Sequence, residues 1–162
     1  MVTWAAPYTV PLGLVAALAL LGQGCRVREQ VEGPYAFTAT SVEKDECLLV
    51  PASGELFAGD FFSTGNYVSI RYDWYGITLA GQYRSSALLD TSPESFFADG
   101  SAQNVTARVG PLSCELDVAT VHMDGLTDSP SAFHGTLRFR YEARQPPGCL
   151  CESWVSFQAV RQ

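Results

Sequence analysis

From Gly33 onward apolar and polar residues alternate, the period of a strand with one buried face. FHGTLRFRYEAR is the clearest run. Phe133, Gly135, Leu137, Phe139 and Tyr141 fall on one face, and His134, Thr136, Arg138, Arg140 and Glu142 on the other. CLCESWVSFQAV follows after the turn-like QPPG, so the two runs are expected to form a hairpin. NYVSIRYDW and GITLAGQYRS form a second, separated by little more than Tyr75 and Gly76. Further strands are expected in PYAFTATSV, in CLLV with GELFA, in NVTARV and in CELDVATVHM. About eight short strands with turn signals between them, and no amphipathic helix, predict an all-β antiparallel barrel or sandwich in meander order. The longest break in the pattern, Asp90 to Gln103, is expected to be a loop whose Phe96 and Phe97 fold back over one end of the core.

The first 30 residues read differently. Val10 to Leu21 is uncharged and almost all Val, Leu, Ala and Gly. A dozen apolar residues fall short of the roughly 20 that span a bilayer, and suit the core of a secretory signal peptide. Gly22 and Gly24 then supply small side chains before Cys25. LLGQGC resembles the lipobox of bacterial lipoproteins, matching at Leu21, Gly24 and Cys25. The leucine stands one place further from the cysteine than usual, Gln23 departs from the motif, and no Lys or Arg precedes Leu12. The resemblance implies a signal peptide over 1–24, lipid attachment at Cys25 and an address in the bacterial cell envelope. On that reading residues 25–33 form a polar tether and 34–162 a single β domain. A plainly secreted protein cut nearby, and an uncleaved anchor or buried helix, are the alternatives.

The chain has 162 residues and a formal net charge of −7, which suits one domain and opposes a phosphate-backbone partner. Behind an export signal the four other cysteines, Cys47, Cys114, Cys149 and Cys151, point to disulfides. On a strand Cys149 and Cys151 stand roughly 6.5–7 Å apart, too far to bridge one another. Each is therefore expected to pair with Cys47 or Cys114, in an order the spacing leaves open. A meander closed by its first and last strands brings all four thiols to one end. Free thiols and a zinc site are the alternatives.

Candidate chemistry is sparse. His122 and Asp124 share one face of a strand, the arrangement of a metal-ligand pair or of a base with its orienting acid. A third ligand is missing unless His134 comes into register. Glu43 to Glu46, and Asp90, Glu94 and Asp99, are acid groups without calcium-loop spacing. Asn104 heads a glycosylation-type triplet, NVT. Tyr67, Arg71 and Tyr75 alternate with Val68, Ile70, Tyr72 and Trp74, and in a row on the outer face would suit a sugar or a partner protein. No nucleotide-binding, serine-hydrolase or zinc-protease motif occurs. The sequence therefore points to a tethered or secreted non-enzymatic binding module. It implies no cofactor, a membrane contact through Cys25, and an envelope protein or glycan as partner. The alternative is a small barrel carrying an apolar ligand, which bulky residues such as Trp74, Tyr72, Phe139 and Phe157 would tend to fill, and a third reading is a hydrolase using His122 and Asp124.

Overall fold

The computed structural model of the protein describes residues 30–72, 74–84, 94–143 and 147–162. Cys25 with the rest of the leader, Asp90, and the side chain of Trp74 lie outside the described residues. Eight strands follow in chain order: β1 (Gly33–Asp45), β2 (Glu55–Thr64), β3 (Tyr67–Tyr72), β4 (Thr78–Tyr83), β5 (Ser95–Val109), β6 (Leu112–Ser129), β7 (Ala132–Glu142) and β8 (Cys151–Arg161). Each pairs antiparallel with the next, and β8 returns to β1 to close a barrel. Of the two architectures expected, barrel and sandwich, the protein adopts the barrel.

Closure needs β1 to bend. Its register against β8 shifts between Ala39 and Ser41 and again between Val42 and Lys44, and such irregularities raise local twist. Glycine supplies the rest of the accommodation. Gly125 of β6 stands opposite Phe96 of β5, and a Cβ there would lie 2.2 Å from the ring. The ring fills the space that the glycine leaves.

The alternation then decides what lies inside. Phe133, Leu137, Phe139 and Tyr141 of β7 face inward, as do Val155, Phe157 and Ala159 of β8. Phe133 sits at the centre, with ring centroids 5.3–6.0 Å from those of Tyr35, Phe37, Phe61, Phe96 and Phe157. Offset and edge-on contacts of this kind add to the stabilisation from burial itself, which is about 1.5–3 kcal/mol for a large apolar side chain. A second apolar cluster, with Leu116, Tyr141 and the four cysteines, occupies the other end.

Two bridges tie that end together. Cys47 bonds Cys151, and Cys114 bonds Cys149, with Cα separations of 5.2 and 5.6 Å. The four thiols thus meet at one end, as the meander requires. Cys149 lies in a 3-10 turn (Pro147–Cys149) rather than on the strand, while Cys151 opens β8. The opposite end receives the chain's entry. Val31 N donates to Pro130 O (2.7 Å), and the Tyr35 hydroxyl donates to Val31 O while accepting from Gln30 Nε2 (both 2.7 Å). Residues 30–33, expected as the end of a tether, are docked on the barrel.

Two local expectations are corrected. CLLV is a turn rather than a strand, because the Asp45 carboxylate accepts from the backbone N–H groups of Leu49 (2.9 Å) and Val50 (3.1 Å) and folds the chain over. The expected break from Asp90 to Gln103 is shorter, since β5 already begins at Ser95. Phe96 is a core residue on that strand, and Phe97 points the other way, onto the outer wall.

Candidate functional site on the outer wall

Because the inward positions are taken by rings and aliphatic groups, functional polar groups sit on the outside. Register aligns them in lateral rows. One row runs Phe62, Ser69, Ala80, Asp99, His122, Arg138 and Trp154 from β2 to β8, and meets Lys44 of β1. The next runs Thr64, Tyr67, Gln82, Phe97, Asp124, Thr136 and Ser156.

His122 and Asp124 come together as the sequence suggested, and Asp99 joins them. The His122 ring has a carboxylate at each nitrogen: Asp99 Oδ1 lies 2.6 Å from Nδ1, and Asp124 Oδ2 lies 3.1 Å from Nε2. Arg84 also hydrogen-bonds and ion-pairs with Asp124. With both nitrogens engaged, the imidazole has no free position for a metal or a substrate proton. His134 does not complete the set. It lies opposite Leu126, four residues along β6 from His122, and contacts Asp128 at 2.7 Å. Among the described residues no group of three or more His, Cys, Asp or Glu is placed to hold a metal ion.

Beside His122 an open groove of about 480 Å³ is lined by Asp99, Ser101, Thr120, Arg138, Arg140 and Glu152, among others. The Arg138 guanidinium lies over the Trp154 ring, 4.0 Å from its centroid. Glu152 is held below the usual carboxylate range, first by the Trp154 indole N–H and then by Lys44. Lys44 is raised in turn, chiefly by its hydrogen bond to Glu46. The acids of Glu43–Glu46 are used locally: Asp45 caps the following turn and accepts from Ser153 Oγ (2.7 Å), and Glu46 pairs with Lys44 (3.1 Å).

On the β2–β5 wall, Tyr67 and Arg71 point outward and Tyr67 is 71% exposed. Tyr75 does not join them. The short turn Trp74–Gly76 puts it at φ 55, and it is half-buried against the core near Tyr72 and Tyr141. Burial raises the hydroxyls of Tyr72, Tyr75 and Tyr141 above the ordinary tyrosine value, those of Tyr72 and Tyr141 strongly. Two outward rings complete the wall instead. Phe62 is 40% exposed beneath the Arg71 guanidinium (5.7 Å), and Phe97 lies beneath Arg84 (5.9 Å). Phe62 lay in a segment without a recognised outer face, and Phe97 in an expected loop. Extending the alternation through Ser95 would have found the second.

The chain matches no protein-family model, and no curated protein or solved structure is similar enough to it to register.

Proposed function

We propose that the protein is a secreted or envelope-tethered, non-enzymatic β domain that works as a binding module, and that it binds through its outer wall. One observation carries this reading: the interior is packed with rings in mutual contact around Phe133, which leaves the exterior to do the recognising. The same packing speaks against the carrier alternative. A hydrolytic role for His122 finds little support, because both ring nitrogens face carboxylates and, among the described residues, no nucleophile hydrogen-bonds to either.

Two disulfides support an oxidising compartment, and the lipobox-like LLGQGC supports lipid attachment at Cys25 with membrane contact through that group. The outer wall carries Asp99, His122, Arg138 and Arg140, the reverse of the apolar exterior of a membrane-spanning barrel. On this reading the domain stands beside a membrane.

Intact-mass and native-mass spectrometry of protein from its own membranes test the proposal. The expected species begins at a diacylglycerol-modified Cys25, gains about 4 Da on reduction of its two bridges, and carries no lipid within the folded barrel. A lipid released only on unfolding would replace the module with the carrier. An unmodified chain retaining Met1 would overturn the tether.

A further inference from the structure

We infer that the β2–β5 face of the outer wall binds an extended, β-1,4-linked glycan chain, with Tyr67 and Phe97 as its stacking platforms. The inference rests on the binding-module reading and names its ligand. Tyr67 on β3 and Phe97 on β5 lie in one lateral row with Gln82 of β4 between them. Strands stand about 4.8 Å apart, so positions two strands away are separated by roughly 10 Å. That is close to the disaccharide repeat of an extended β-1,4-linked glycan. Ser69 and Ala80, outward in the adjacent row, are small, which keeps the surface alongside the rings shallow.

The polar groups fit the same occupant. Gln82 offers an amide between the rings. Arg71 and Arg84 lie over Phe62 and Phe97, and a sugar stacking on Phe97 requires the Arg84 guanidinium to withdraw from that face to the ring edge, where Asp124 already holds it and its remaining N–H groups can donate to sugar hydroxyls. Sugars present apolar C–H faces and hydroxyl rims, and an aromatic ring flanked by amide and guanidinium groups answers both. A protein partner fits less well. A stable interface needs about 800 Å² from each side around a continuous apolar centre, and here the exposed rings are interrupted by Ser69, Gln82 and Thr64. Two or three rings over a polar lattice suit a narrow ligand better.

Retention on insoluble cellulose, chitin and purified peptidoglycan sacculi tests this, with cellohexaose and chitohexaose titrations for affinity. The expected result is retention on at least one polymer. The double variant Y67A/F97A should lose it at least tenfold, whereas E115A, at the disulfide end of β6 beside Cys114, should leave it unchanged. Because Phe97 is half-buried, Y67A alone serves as the variant least disturbing to folding, and circular dichroism checks both. Retention on none of the three polymers, or retention equal in Y67A/F97A and wild type, overturns the inference. A photo-crosslinker at position 67 separates the two failures. If it captures a polypeptide in native membranes while no glycan is retained, the glycan inference falls and the binding module stands. If it captures nothing and no glycan is retained, both fall.

Discussion

Phe133→Ala removes the ring at the centre of the barrel. The side chain is fully buried and its ring contacts five others at 5.3–6.0 Å, so the void left behind is lined by rings that are themselves held by closed strand ladders. Phe→Ala at a buried site costs about 3–5 kcal/mol, and the inability of a barrel wall to collapse places this one toward the upper part of that range. Against a typical total of about 5–15 kcal/mol the loss is large, and it corresponds to a fall in Tm of roughly 10–20 °C for a domain of this size. Urea unfolding followed by circular dichroism gives the difference directly, provided the slope is unchanged. Phe133→Leu keeps most of the apolar volume and should cost about 1–2 kcal/mol. The Ala variant should also acquire affinity for benzene, as a dry apolar void does, while the wild type binds none. A loss below about 1.5 kcal/mol in the Ala variant, well under the usual cost of Phe→Ala, or benzene binding by the wild type, would refute a filled interior.

Three further outcomes follow from the same geometry. The bridge between Cys47 and Cys151 spans 104 residues and that between Cys114 and Cys149 spans 35, so replacing the first pair with serine should cost about 4.7 kcal/mol and the second about 3.8 kcal/mol. Denaturant midpoints of the two double variants check the order, and a reversed order would count against the chain-entropy account. Burial raises the hydroxyls of Tyr35, Tyr72, Tyr75 and Tyr141, so the folded state keeps protons that the unfolded chain releases above pH 10. Stability is then full below pH 10 and falls above it, by up to about 1.4 kcal/mol per pH unit for each proton retained. Absorbance at 295 nm should show these phenols ionising together with loss of sheet signal; ionisation of every phenol near pH 10 in an intact barrel would contradict it. Gly125→Ala drives a methyl into the Phe96 ring and should cost about 1–3 kcal/mol by displacing it, a change readable by thermal melting.

Much of this fold was legible because alternation is a local signal. The run from Phe133 to Glu142 assigns its own inner and outer faces, and the same period marks β3 and β8. Cysteine geometry was legible in part. Cys149 and Cys151 each pair elsewhere as expected, but the expectation assumed both on one strand, whereas a 3-10 turn carries Cys149 off it, and the choice between Cys47 and Cys114 depends on that turn. What failed did so for reasons outside the alternation pattern. CLLV has strand composition, yet the Asp45 carboxylate captures its backbone donors. DTSPESFFADGSAQ carries turn residues, yet a long ladder with β6 holds its second half extended.

The candidate surface divided in the same way. Tyr67 and Arg71 follow the period of β3, whereas Tyr75 leaves it at a residue of positive φ, which no alternation rule anticipates. Asp99 was visible only as an acid in a presumed loop. Its place beside His122 comes from the register of β5 on β6, and with it the imidazole changes from a prospective ligand to one clamped between two carboxylates.

Photo-crosslinking in native membranes, from position 67 on the β2–β5 wall and from Glu115 on β6 as a comparison, tests most directly that the protein binds through its exterior. The account predicts a specific adduct from position 67 that is absent from 115. Adducts from neither position, together with a lipid held inside the purified barrel, would contradict it.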